Sequence, residues 1–313
     1  MKAGIDIGGM SIKIGLVNEE NKIIARSTMK TRQDIPYQEL FQNMADAVQE
    51  LLKQQNLALS DCDGIGIGIP GTIDDESGVV LYSNNIRWEN IPIVEELKKY
   101  LDTTIHIAND ADAAALGEVC AGAAKGAKSA VLFTLGTGVG GGVILDKKIF
   151  HGPLTGGCEL GHMVVKFDGE MCTCGRRGCL EAYASATALL GIAKKYATEY
   201  PESVMNEMCK GDLSNMNGKI PFDAATAQDE AGKKVVEEYE RNLACGIANV
   251  INIFRPEKII LGGGVAAQRE NLTVPLQQMV EELCFGREHG QVARIVVSEL
   301  GNDAGIIGAA NLV

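Results

Sequence analysis

Two short apolar runs rich in β-branched residues open the chain, over residues 3–7 and 12–17, and between them stand Gly8-Gly9-Met10-Ser11. This pattern predicts a β-hairpin closed by a glycine turn. The layout recurs at residues 130–135 and 139–145, around Gly136-Thr137-Gly138. Between the hairpins, Tyr37, Leu40, Phe41, Met44, Val48, Leu51 and Leu52 fall at helical spacing behind the start signals Asp34 and Pro36, which predicts a packing helix. Residues 64–71 alternate isoleucine with glycine and break at Pro70, so a strand ends there with its backbone close to a neighbour. Residues 104–108 read as a strand running into an alanine-rich helix over 111–121, and 182–187 open another helix. The stretch 202–219 is polar, glycine-bearing and weakly periodic, which predicts a mobile connection. A long amphipathic helix follows over 228–254, stopped before Pro256; a strand at 258–261 then leads into Gly262-Gly263-Gly264 and a further helix. A last strand at 294–297 and a small-residue helix over 302–312 complete a mixed α/β pattern.

One glycine hairpin in each half predicts duplicated α/β domains with a cleft between them, and 313 residues suffice for two. Glycine turns suit phosphate because backbone N–H groups approach it with no Cβ in the way. Neither turn is a helical nucleotide motif. Gly136, Gly138 and Gly141 match G-x-G-x-x-G, but strand-like residues 142–145 follow where a dinucleotide site requires a helix. Residues 122–129 approach a P-loop and fail at Ala127, where its second glycine belongs.

A formal charge of −12 with no local basic patch works against nucleic acid as a partner, and means that an anionic ligand must be held by specific donors. No apolar run approaches the length of a membrane span and no charged-then-apolar leader is evident, so a soluble cytoplasmic protein is expected.

Cysteine usage then marks one segment. Three of the nine cysteines, Cys172, Cys174 and Cys179, crowd into eight residues, and His162, one of four histidines, lies ten residues upstream. Three thiolates and one imidazole make a closed tetrahedral zinc site that adds folding energy without doing chemistry, and Gly175 and Gly178 let the loop fold back. Disulfides fit a reducing cytosol poorly, and no thioredoxin-like C-x-x-C pattern is present. Cys62, Cys120, Cys158, Cys209, Cys245 and Cys284 are scattered singly and read as small buried apolar residues. His106, His151 and His289 lack metal-type neighbours. Glu159 and Glu181 flank the knot, whose stiffness would position them on a polar ligand.

The run Glu159-x-Gly161-His162 followed by Cys172-x-Cys174-Gly175-x-x-Gly178-Cys179-x-Glu181 resembles the signature of the ROK family, bacterial sugar kinases and sugar-responsive repressors. The resemblance covers nearly the whole chain and leans to the glucokinase-like branch. It implies a two-domain actin/hexokinase-like (ribonuclease H-like) α/β fold, with a smaller N-terminal domain at 1–109 closed by a helix at 302–313 and a larger one at 110–301 carrying the zinc motif. It implies ATP with magnesium and a structural zinc as cofactors, a sugar as substrate, and a homodimer or homotetramer.

By the same resemblance the hairpins are the phosphate loops. Asp6 assists the magnesium-bound phosphates, Gly8, Gly9, Ser11 and Lys13 belong to the first loop, and Gly136, Thr137 and Gly138 to the second. The family usually has threonine where this chain has Met10, whose sulfur is only a weak acceptor, and Ser11 would take over its part. Gly262, Gly263 and Gly264 match the adenosine loop. Gly71 and Asn85, with Asn84 as the alternative register, match the sugar loops. Taken alone, Asp110 is most simply an N-cap and Asp6 a turn carboxylate. The pattern from Ala108 to Glu118, however, resembles the family's catalytic segment, in which Asp110 is the base and Asn109 holds the sugar. Glu159, His162 and Glu181 complete the sugar ligands, with one ring nitrogen of His162 on zinc and the other on sugar. The expected activity is transfer of the γ-phosphoryl group of ATP to the 6-hydroxyl of a hexose, glucose first. The alternatives are kinases for N-acetylmannosamine, N-acetylglucosamine, fructose or a β-glucoside, a sugar-sensing regulator without a DNA-binding domain, and a non-catalytic sugar-binding relic.

Overall fold

The computed structural model describes residues 1–313. The first glycine hairpin is β1 (Lys2–Ile7) and β2 (Ser11–Val17), extended by β3 (Ile23–Lys30); then come helix α1 (Tyr37–Gln54) and β4 (Ile65–Ile69). A three-stranded meander follows, β5 (Thr72–Asp74), β6 (Val79–Ser83) and β7 (Trp88–Ile91), then α2 (Ile93–Lys98), β8 (Ile105–Asn109) and α3 (Asp110–Cys120). The second hairpin, β9 (Ala130–Leu135) and β10 (Val139–Leu145), carries the short β11 (Lys148–Ile149). The remainder is α4 (Glu181–Ala184), α5 (Ala186–Glu199), α6 (Val204–Met208), α7 (Ile220–Thr226), α8 (Glu230–Phe254), β12 (Lys258–Gly262), α9 (Glu270–Leu283), β13 (Arg294–Val297) and α10 (Ala304–Ala310). The large sheets run β3-β2-β1-β4-β8 and β11-β10-β9-β12-β13.

The chain forms two compact units, one of Met1–Leu132, Gly142–Cys158 and Glu299–Val313, the other of Phe133–Gly141 and Glu159–Ser298. The first unit thus takes in α3 and the arm of the second hairpin. Its core is the apolar face of α1, where Leu40, Phe41, Met44 and Val48 are at most 1% exposed, laid on β1, β2 and β4. Phe41 meets Trp88 edge-on at 5.4 Å between centroids, which ties the meander, and the turn between β6 and β7, to the same core. The small residues of α10 let its backbone sit directly on the sheet. An added Cβ at Gly66 would stand 1.7 Å from the Ala309 carbonyl oxygen, and one at Gly4 2.0 Å from that of Ile306.

Several expectations shift. Residues 202–219 contain α6, capped by Ser203, and the 3-10 turn Leu213–Asn215; the Asn206 amide reaches the carbonyls of Ala197, Tyr200 and Pro201. Hydrogen bonding by short polar side chains organises a stretch that hydrophobic periodicity cannot read. The helix expected over 302–312 is shorter, since residues 301–303 form a 3-10 turn before α10. The one opening at 182–187 is two helices, broken at Ser185, whose hydroxyl accepts from the Ala188 N–H and caps α5. Of the six scattered cysteines, Cys62, Cys209 and Cys284 are buried, but Cys120, Cys158 and Cys245 are only half-buried.

In the second unit, α8 starts at the Asp229 cap and ends at Arg255 in the left-handed conformation before Pro256. Its Glu240 is 3% exposed with no hydrogen-bond partner on Oε1; burial, then the Glu237 charge, push its carboxyl from 4.5 up to about 8. The folded state therefore holds a proton that the unfolded chain has released, so stability falls as pH rises from about 4.5 to about 8 and levels off above. Glu240→Gln removes this dependence. Thermal melts should show the variant gaining over the wild type by at least ~2 °C more at about pH 8.5 than at about pH 5; an equal gain at both would show that Glu240 is already ionised in the fold.

Candidate functional site

In the first unit, the end of β8 passes straight into α3, and Asn109 rather than Asp110 caps the helix. Asn109 Oδ1 accepts from the Ala111 N–H at 2.8 Å and the Asp112 N–H at 3.4 Å. Asp110 stands one residue further in, at the first helical position, with Oδ1 2.9 Å from the Ala111 nitrogen. The helix-cap reading of Asp110 is thereby corrected, because the cap role is filled by its neighbour. Asn109 also donates through Nδ2 to the Gly71 carbonyl at 3.1 Å. Gly71 takes φ +124°, and a Cβ there would meet the Tyr82 carbonyl oxygen at 2.2 Å, so only glycine fits. The ends of β4 and β8 are thus fastened to each other beside Asp110.

The β1–β2 turn is tightened by Gly8 N–H to Ser11 O at 2.9 Å. Asp6 and Lys13 are cross-strand partners, paired at 3.3 Å, and the Asp6 carboxylate lies against Gly305, where a Cβ would stand 2.8 Å from its Cγ. Met10 is 88% exposed at the tip of the turn. Asn84 and Asn85 both lie in the exposed turn between β6 and β7, but Asn84 Oδ1 accepts from the Tyr82 hydroxyl at 3.5 Å, whereas the Asn85 backbone rests on Gly9. A cavity of about 360 Å³ runs along β8 from Gly71 and Asn109 to His106, flanked by Lys147, His151 and Gly157. His151 Nε2 lies 3.4 Å from Asp75.

In the second unit, Glu159 precedes the 3-10 turn Leu160–His162 and its carbonyl accepts from the His162 N–H at 3.1 Å. The ligand atoms of His162, Cys172, Cys174 and Cys179 all lie within 4.8 Å of one another. Cys174 and Cys179 sulfurs are 3.7 Å apart, and Cys172 Sγ is 3.6 Å from His162 Nδ1. A tetrahedral zinc with Zn–S of about 2.3 Å and Zn–N of about 2.0 Å requires edges of about 3.8 and 3.5 Å, which these two separations match. The knot is folded by Cys172 N–H to Arg176 O and by Gly175 and Gly178 at φ +84° and +81°. Burial pushes the Cys179 thiol up to about 12, while the Arg176 backbone draws the exposed Cys174 down.

Glu181 connects this knot to the β9–β10 turn. Its Oε1 accepts from the Thr173 hydroxyl at 2.8 Å and its Oε2 from the Val139 N–H at 3.1 Å. The carbonyls of that turn are held by α5, with Ala186 N–H on Gly136 O at 2.7 Å and the Thr187 hydroxyl on Thr137 O at 2.8 Å. Strand β12 runs one residue further than expected and ends on Gly262; Gly263 follows at φ +84° against the Leu135 backbone, and Gly264 faces open space. Sequence reasoning missed Thr173, Thr187 and, in the first unit, Thr31 and Gln33. All four act through hydroxyl or amide contacts that carry no spacing signature.

A model of the ROK family matches residues 2–313. A glucokinase from Halalkalibacterium halodurans is 36% identical over 99% of this chain and 94% of its own. A xylose repressor from Caldicellulosiruptor bescii is 30% identical over 99% of this chain and 77% of its own. Among solved structures, a ROK family glucokinase from Streptomyces griseus in complex with glucose and AMPPNP has a TM-score of 0.78 at 32% identity, covering 100% of this chain and 98% of that one.

Proposed function

The chain belongs to the ROK family, and from that premise we propose that it transfers the γ-phosphoryl group of ATP to the 6-hydroxyl of glucose. The observation that carries the reading is the start of α3, where Asn109 caps the helix and Asp110 stands at its first position, directly after β8. Phosphoryl transfer depends mainly on positioning and charge stabilisation. Asp110 orients the 6-hydroxyl and receives its proton as the new P–O bond forms. Gly71, Asn85 and Asn109 in the first unit, and Glu159, His162 and Glu181 in the second, supply the donors and acceptors that a neutral polyol needs. Asp6, Gly8, Gly9, Ser11 and Lys13, with Gly136, Thr137 and Gly138, hold the phosphates and their magnesium, and Gly262, Gly263 and Gly264 the adenosine. His162, Cys172, Cys174 and Cys179 hold zinc, which stiffens the segment bearing the sugar ligands.

A coupled assay with ATP and a panel of hexoses tests the activity: glucose should give the highest kcat/KM. The similarity to a xylose repressor supports the second reading, a sugar-responsive regulator, which would bind a sugar in calorimetry and leave it unphosphorylated. Met10 bears on the same choice. Met10→Thr restores a hydroxyl at the exposed tip of the turn and should lower KM for ATP by about 2- to 10-fold, the worth of one net hydrogen bond, with sugar affinity unchanged. A changed sugar affinity at constant ATP affinity would move this turn away from the phosphates.

A further inference from the structure

Two turns of the first unit meet on one side chain. Gln33, just past β3, donates through Nε2 to the Asn85 carbonyl at 3.1 Å and the Gly9 carbonyl at 3.4 Å. The two turns also touch directly, since a Cβ on Gly9 would stand 3.3 Å from the Asn85 oxygen. Thr31 fastens the same glycine turn, with its N–H on Met10 O at 3.1 Å and its hydroxyl on Gly8 O at 2.6 Å. Residues 31–33 therefore reach three consecutive carbonyls, those of Gly8, Gly9 and Met10. Of that segment, Gln33 also reaches across to the turn that bears Asn85.

We infer that Gln33 is a positioning residue that couples nucleotide binding to sugar binding. The inference rests on the assignment above of the Gly8–Gly9 turn to phosphate and of Asn85 to sugar. One amide nitrogen carries two N–H groups and so holds both carbonyls at once. When a ligand orders either turn, the Gln33 amide transmits that order to the other, and the second ligand meets a turn already in place. Such coupling is reciprocal: nucleotide tightens sugar by the factor by which sugar tightens nucleotide. Gln33 is exposed, so its removal empties no core space. Asn85 supplies the backbone oxygen that Gln33 grips, which leaves its side-chain amide for the sugar.

Calorimetry on the full chain reads the coupling as the ratio of glucose Kd without and with magnesium and AMPPNP. The wild type should show tightening of about 2- to 10-fold, and Gln33→Ala a ratio near one. Gln33→Met, which keeps the length and loses the N–H donors, should behave as the alanine variant. Thr31→Val, which removes only the hydroxyl on Gly8, should weaken AMPPNP while preserving the ratio. A wild type without tightening, or a Gln33→Met variant that retains the wild-type ratio, overturns the coupling. If Thr31→Val weakens AMPPNP in that second case, the phosphate assignment stands and the coupling alone falls. If neither Thr31→Val nor Gln33→Ala alters either affinity, the assignment of the turns falls with it.

Discussion

Asp110→Asn is expected to lower turnover by at least ~10²-fold, the lower end of what a positioned general base contributes, while glucose still binds. Asparagine preserves the shape and can still accept from the Ala111 N–H, so α3, capped by Asn109, keeps its start. What it cannot do is receive the proton of the 6-hydroxyl. Steady-state kinetics beside calorimetry of glucose decides the matter. A variant that turns over near the wild-type rate removes Asp110 from the chemistry, and one that no longer binds glucose makes it a sugar ligand.

Cys179→Ser carries the other large effect. Its sulfur is fully buried at the base of the knot, 3.7 Å from that of Cys174. Structural zinc sites bind with an apparent ~10–16 kcal/mol that is folding free energy, so a lost ligand should be felt throughout the segment. Metal analysis should find about one zinc per wild-type chain, as one closed four-ligand site requires, and well under half that in the variant. The melting temperature should fall by several degrees or more, ~2–4 °C for each kcal/mol lost. Glucose affinity should drop by at least ~10-fold as His162 and Glu181 lose their anchorage. Zinc-free wild-type protein that melts and binds glucose as before would abolish the assignment.

What could be read from the chain depended on the range of the signal. The second hairpin matches its expected bounds residue for residue, because alternation and glycine turns are local signals, and α8 differs only at its first two residues, where Asp229 serves as the cap. The β5–β7 meander went unread, since its strands are three to five residues long and β7 carries two exposed polar residues in four. At the site, the His162, Cys172, Cys174 and Cys179 cluster was legible from spacing, and its donor atoms lie within 4.8 Å of one another. The roles of Asn109 and Asp110 at the helix start were ambiguous by one position, because either side chain can cap, and hydrogen-bond geometry alone separates them. Gln33 was invisible, because its partners are main-chain carbonyls more than twenty and fifty residues away.

The seating of α10 bears on the order of assembly as well as on the finished structure. Gly4 and Gly66 abut its carbonyls, and a Cβ on Gly308 would strike the Ala113 carbonyl oxygen at 1.6 Å, so β1, β4 and the helix that begins at Asp110 all close on residues made about two to three hundred positions later. During synthesis, at ~5–20 residues per second, the first unit must therefore wait tens of seconds with this face of its sheet bare. In that interval the exposed strands are a target for chaperones and for pairing with other chains.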